Sequence, residues 1–139
     1  MPDVRDEIMG SLVRFIASVV INNHAVAQRL GLGPTDSQFM TLLDVHGPLT
    51  PGRLAELSGL TSGTVTGVID RLEKAGFVTR DRDPGDRRKV IVQRDDAAVE
   101  ERLAPEYEVH GKHVLDMLAR RSPDELSVIA TFLRELAPE

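Results

Sequence analysis

TPGRLAELSGLTSGTVTGVIDRLEKAGFVTRDRDPGDRRKVIVQR, residues 50–94, is the stretch that decides the fold. Thr50 is a hydroxyl able to accept from orphan backbone N–H groups, and Pro51 follows at the first helical position, where its missing donor costs nothing. Leu54, Ala55 and Leu57 give the short helix an inward face, and Gly59 stands where a helix terminates. Thr61 reads as a second N-cap. Val65, Val68, Ile69 and Leu72 then recur at i, i+3, i+4 and i+7, the apolar stripe of an amphipathic helix. Ser58-Gly59-Leu60 is short enough for a tight turn between the two helices. Gly76 closes the second helix. Phe77 to Arg82 is strand-like, Asp83-Pro84-Gly85-Asp86 is a turn signal, and Val90, Ile91 and Val92 resume a β-branched run. Two capped helices followed by a hairpin make a winged helix-turn-helix, an arrangement whose chemistry is reading duplex DNA.

The face of the second helix opposite its stripe carries Gly63, Thr66, Gly67, Asp70 and Lys74, with Thr64 and Arg71 on its flanks. Two glycines inside a helix cost roughly 1 kcal/mol each relative to alanine. Either they let the backbone approach a duplex, or the face is a loosely selected solvent surface. The surrounding hydroxyls and cations favour the first. The hairpin tip presents Arg82, Arg87, Arg88 and Lys89, and planar guanidinium groups suit phosphates and narrow minor grooves. Asp81, Asp83 and Asp86 would repel DNA, and make sense as partners that hold the arginines. A solvated hairpin of mixed charge is the plainer alternative.

Residues 50–94 resemble the winged helix-turn-helix of the MarR family of bacterial transcriptional regulators. The resemblance is carried by Leu54-Ala55-Glu56, Gly59-Leu60-Thr61, Val68, Asp70-Arg71-Leu72-Glu73, Gly76-Phe77-Val78, Arg80 and the wing run Asp83-Pro84-Gly85-Asp86-Arg87-Arg88. The order of the flanking elements extends it over nearly the whole chain. It implies a homodimer on a pseudo-palindromic operator, most often as a repressor. The recognition helix, Thr61–Ala75, would enter the major groove with Thr61, Ser62, Gly63, Thr64, Thr66, Gly67, Arg71 and Lys74 toward DNA. A wing arginine would enter the adjacent minor groove. The family's Asp-x-Arg at the wing maps onto Asp86 and Arg88, with Arg87 between them left for phosphate and Arg82 at the hairpin's side. The resemblance also implies an effector pocket for aromatic or other amphipathic small molecules. No motif fixes its lining.

The remaining sequence agrees with this frame. At 139 residues, 41% of them hydrophobic, the chain reads as one globular domain unit. Aromatic residues make up 4%, so an aliphatic core is expected. No apolar run can span a membrane and no signal peptide is evident, which leaves the cytoplasm as the default compartment. The absence of cysteine excludes disulfides, thiolate ligands and a peroxide-sensing thiol. The net charge of −5 hides a segregation. Residues 70–94 hold 8 basic and 5 acidic side chains, whereas residues 95–139 hold 5 basic and 11 acidic ones. Local field rather than net charge attracts phosphate.

Upstream, Ile8, Leu12, Phe15, Ile16, Val19 and Asn23 recur at helical spacing on a first helix expected to reach Leu30. Thr35-x-x-Gln38 has the capping-box pattern and opens a helix with Phe39, Leu42, Leu43 and His46 on one side. Downstream, Leu103, Tyr107, Val114, Leu115 and Leu118 fit a long helix with Pro105 and Gly111 as interruptions. Ser122-Pro123-Asp124-Glu125 opens a last helix with Leu126, Ile129, Leu133 and Leu136. Stripes of that length are too extensive for a small winged core to cover. Pairing with a second copy is the simplest solution, and antiparallel packing within one chain the alternative. The expected organisation is a mainly α single domain, 1–139. Residues 34–95 form the winged helix-turn-helix, and 1–33 with 97–139 form the dimerisation helices.

His110 and His113 lie at i, i+3 with Glu106 one turn before His110, while His24 and His46 fall on other helices. Some family members sense zinc through such residues, but zinc needs three or four convergent ligands and no spacing here gathers them. Exposed or capping histidines are the expectation, with no metal and no cofactor. No nucleophile elbow, phosphate-binding loop or paired-carboxylate motif suggests an enzyme. The competing class is a winged helix that binds protein instead of DNA, which salt dependence would distinguish.

Overall fold

The computed structural model describes residues 1–137. Its element order is α1 (Val4–Arg29), α2 (Pro34–His46), α3 (Pro51–Ser58), α4 (Ser62–Lys74), β1 (Val78–Arg82), β2 (Val90–Arg94), the single turn α5 (Asp96–Ala98), a π-helical turn (Val99–Leu103), α6 (Ala104–Ala119) and α7 (Pro123–Leu136). The chain divides into two compact units, Met1–Arg102 and Leu103–Glu139.

In the first unit the caps fall where the hydroxyls predicted them. Thr50 accepts from Arg53 N–H at 3.1 Å and Thr61 from Thr64 N–H at 3.3 Å. Gly59 takes φ of 71°, the left-handed value that ends α3 without the penalty a Cβ would bring. The stripe Val65, Val68, Ile69 and Leu72 is fully buried where α4 packs on α2, α3 and β1, in a core completed by Phe39, Leu43, Leu54, Phe77, Val78 and Val92. The expected aliphatic core needs amending, because Phe39 and Phe77 are its two largest side chains. Few aromatics are present, and half of the four phenylalanines lie at its centre.

The hairpin pairs antiparallel from Val78↔Arg94 to Arg82↔Val90. Leu49 adds a bridge to Val92, with N···O distances of 3.0 and 2.7 Å, so the segment before α3 lies against the outer edge of β2. This third piece had no sequence signal, since a one-residue bridge has no periodicity.

Three local expectations are corrected. The N-terminus of α2 does not use Thr35 and Gln38: Gly33 is the N-cap, Pro34 opens the helix, and Asp36 accepts from Gly33 N–H at 2.9 Å. Pro34 is favoured in the first turn, which moves the N-cap two residues upstream, from Thr35 to Gly33. Along α2, His46 and Val45 are exposed while Met40 joins Phe39 and Leu43 in the core. Finally, neither Pro105 nor Gly111 interrupts α6. Pro105 falls in its first turn after the π-helical turn, where a missing N–H is tolerated, and Gly111 lies inside an unbroken helix.

Helix α1 ends at Arg29 with Leu30 as its cap; Gly31 is left-handed and Leu32 N–H reaches Ala27 O at 2.8 Å. Only Val26 and Ala27 of α1 are buried, while Ile8, Phe15 and Ile16 remain about half exposed. In the second unit, α7 opens at Ser122 as expected and does so with a capping box between Ser122 and Glu125, at 3.1 and 3.2 Å. The Ser122 backbone N–H on its carboxylate first, and the Ser122 hydroxyl second, hold the Glu125 carboxyl below its ordinary value. No residue of α6 or α7 is buried, and Val109, Leu115, Val128, Phe132, Leu133 and Leu136 are exposed.

Candidate nucleic-acid interface

Helix α4 is anchored through its stripe, and its outward face is left to Ser62, Gly63, Thr66, Asp70 and Lys74. The hydroxyls of Thr61 and Thr64 lie 2.9 Å apart, and Thr66 Oγ1 donates to Ser62 O at 3.0 Å. These bonds keep short polar side chains close to the helix, which leaves a low, hydroxyl-lined surface. Added Cβ atoms at Gly63 would meet nothing within 4 Å, and at Gly67 only Arg71 Nη1 at 3.7 Å. Neither glycine is therefore required by the chain's own packing.

That openness gives a discriminating prediction. Gly63→Ala with Gly67→Ala should stabilise the fold by roughly 1–2 kcal/mol in total, since alanine fits and has the better helix propensity. If the backbone approaches a duplex there, the same variant loses DNA affinity. Thermal melting and a binding titration measured together check this. Unchanged affinity would mean that the face is only solvent surface.

Three ion pairs tie α4 to its neighbours, and a fourth joins β2 to α2. Arg80 of β1 bridges to Glu73 at 2.9 Å and to Asp70, which neutralises the acidic residues of the outward face. Arg71 forks onto Asp36 of α2 through Nε at 3.1 Å and Nη2 at 2.9 Å. Arg94 of β2 reaches Asp44 of α2 at 2.7 Å. At the helix end, Arg102 donates to Ala75 O at 2.6 Å while its guanidinium lies 4.1 Å from the Phe77 ring centroid. A cation on the last carbonyls complements the helix dipole, and the aromatic face adds to it. Of these residues, sequence reading missed Asp36, Arg94 and Arg102 and took Arg80 only as a family position. Their partners lie 7 to 50 residues away, beyond any local pattern.

At the wing tip Asp83 N–H bonds to Lys89 O at 3.0 Å and Lys89 N–H to Asp86 O at 2.9 Å. The hydrogen-bonded turn is thus Asp86–Lys89, three residues beyond the expected Asp83–Asp86, which forms only a bend. Asp83 produces that bend by accepting from Gly85 N–H at 2.8 Å. The idea that all three wing carboxylates hold arginines is likewise corrected. Asp81 accepts from Thr79 at 2.8 Å and Gln93 at 2.6 Å, and Asp83 is taken up by the loop. Asp86 alone holds one, accepting from Arg88 N–H at 3.1 Å and Arg88 Nε at 3.2 Å. The Arg88 side chain is nevertheless 92% exposed, so both terminal nitrogens face solvent. Arg82 Nη1 reaches Arg87 O at 3.4 Å, and the Arg87 and Lys89 side chains are exposed.

Among the described residues no three His, Cys, Asp or Glu side chains are gathered in a way that could hold a metal ion. No described helix is long and apolar enough to cross a membrane.

A capped helix with an open polar face, followed by an arginine-tipped hairpin, defines a winged helix-turn-helix DNA-binding protein. Residues 34–90 match the model of the MarR family. The HTH-type transcriptional regulator YcgE of Bacillus subtilis is 36% identical over 118 residues, spanning 85% of this chain and 76% of that protein. The HTH-type transcriptional repressor NicR of Pseudomonas putida is 36% identical over 95 residues, 66% of this chain and 58% of NicR. The crystal structure of the transcriptional regulator Tm0710 from Thermotoga maritima superposes with a TM-score of 0.64 at 27% identity, covering 94% and 92% of the two chains. The chain belongs to the MarR family, and it is a DNA-binding transcriptional regulator.

Proposed function

We propose that the protein is a homodimeric repressor of a pseudo-palindromic operator, relieved by a small amphipathic or aromatic effector. Its groove contacts come from Thr61, Ser62, Gly63, Thr64, Thr66, Gly67, Arg71 and Lys74 of the recognition helix region and from Arg82, Arg87 and Arg88 of the wing. The observation that carries this is the Asp86–Arg88 pair. An exposed guanidinium held by one edge has its other edge pre-aimed, which suits a narrow minor groove beside the major groove that α4 would fill. The repressor reading is supported by the likeness to NicR, a transcriptional repressor, and the dimer by apolar side chains left bare on α1 and α7.

The test is selection of duplexes from a random library by the full-length protein. The expected product holds two inverted half-sites whose centres lie about one helical turn, ~10 bp, apart, with affinity that falls steeply as salt rises. Binding that selects no sequence and ignores salt would instead mark a protein-interaction module.

Asp86 supplies a sharper check. Removing a negative charge ought to strengthen a purely electrostatic contact with DNA. Asp86→Ala is expected to weaken it, because Arg88 loses the acceptor of both its backbone N–H and its Nε. A variant that binds tighter than the wild type in the same titration would make Asp86 a mere turn residue.

A further inference from the structure

Asp36 is the buried charged residue among those described, with 4% of its side chain exposed, while its partner Arg71 is 60% exposed. The carboxylate takes three donors. Oδ2 accepts from Gly33 N–H, and the two oxygens together receive the Nε and Nη2 edge of Arg71. The remaining terminal nitrogen, Nη1, lies beside Gly67 on the recognition helix, 3.7 Å from where its Cβ would stand.

A buried ion pair is seldom a source of stability, because desolvation offsets the attraction. Here only one partner is buried and the other protrudes, a geometry that orients the arginine. A lysine could not be held in this way, since it has no planar fork to divide between two acceptors. We propose that Asp36 is a positioning residue for DNA binding. From the first turn of α2 it clamps the inner edge of Arg71 so that the outer edge meets a backbone phosphate. This rests on the reading that α4 enters the major groove. Phosphate rather than a base is the target because recognition helices read bases from their N-terminal residues, here Ser62 to Thr66, and Arg71 stands in the third turn. The clamp also ties the start of α2, and the Gly31–Gly33 turn before it, to the register of the recognition helix on DNA.

The experiment uses the full-length protein, the duplex it selects from the random library, and a scrambled duplex of the same composition. Asp36→Asn keeps an oxygen for Gly33 N–H and removes the charged fork. Arg71→Gln removes the cation. Each should weaken the selected duplex about tenfold, and the double variant should be no weaker than Arg71→Gln alone. The slope of log affinity against log salt should fall by about 1 per protomer in the Arg71 variants, with the scrambled duplex weakened as well. A purely structural pair predicts otherwise. The neutral Asn–Gln pair would then restore both wild-type affinity and wild-type slope, and that result would overturn the proposal even if a single variant folded poorly. Asp36→Asn binding as tightly as the wild type, losses that multiply in the double variant, or an altered base preference with an unchanged slope would also overturn it. A wild-type protein that selects no duplex would remove the DNA-contact reading itself, whereas selection with Asp36→Asn unchanged would remove only the role of Asp36.

Discussion

Leu133→Glu with Leu136→Glu is expected to convert a dimer into a monomer and to abolish operator binding at concentrations where the wild type is saturated. Both leucines are about half exposed in the single chain, on a helix with no buried residue. Charging them should therefore cost the isolated fold little. In a two-fold pair the same positions would be buried, and an unpaired carboxylate there carries a penalty of several kcal/mol per ion. Two symmetric copies double it, and one winged unit makes too few phosphate contacts for tight specific binding. Deletion of residues 122–139 should act in the same direction. Light scattering of the three proteins decides the matter. A wild-type monomer at micromolar concentration would contradict the proposed dimer. A charged variant that stays dimeric would move the interface to the bare face of α1 and to α6, leaving DNA binding where it stands.

The winged unit was legible in the sequence because its determinants are local. Thr50, Thr61, Gly59 and Gly76 mark boundaries through their own backbone chemistry, and Val65, Val68, Ile69 and Leu72 announce a buried face by spacing alone. Boundaries went astray where two local signals competed. Pro34 displaced Thr35 as the opening of α2, and Asp86 displaced Asp83 as the start of the wing turn. The long α1 stripe is apolar, but Ile8, Phe15 and Ile16 stay exposed until something covers them. Periodicity reports that a face wants burial without saying by what.

The site was legible in its residue types and not in its pairings. Arginines at a hairpin tip and hydroxyls on a helix can be listed from the sequence. That Arg80 would be consumed by Asp70 and Glu73, and one edge of Arg71 held by Asp36, follows only from which elements pack together. The pairings change the electrostatics. Acidic residues on the helix face are neutralised by a strand arginine, and the exposed basic side chains of α4 and the wing are Arg71, Lys74, Arg82, Arg87, Arg88 and Lys89. A chain of net charge −5 can thus present a locally cationic surface to phosphate.

Arg88→Ala is expected to weaken binding to the selected duplex by roughly 1–3 kcal/mol per protomer, with thermal stability unchanged. The side chain makes its only described contact with Asp86, also on the wing, and is otherwise in solvent, so no packing is lost. Loss of affinity therefore has to come from the duplex. Arg88→Lys separates shape from charge. A narrow minor groove rewards a planar, weakly hydrated guanidinium that Asp86 can hold by one edge, and an ammonium offers neither property. Lysine should therefore recover only a small part of the lost affinity. Against DNA whose A·T-rich flank is replaced by G·C pairs, which widens the minor groove, wild type and Arg88→Ala should converge. Full recovery by lysine would mean that the wing contacts phosphate through charge alone. Affinity unchanged by Arg88→Ala at moderate salt would take the wing out of the interface and leave recognition to α4.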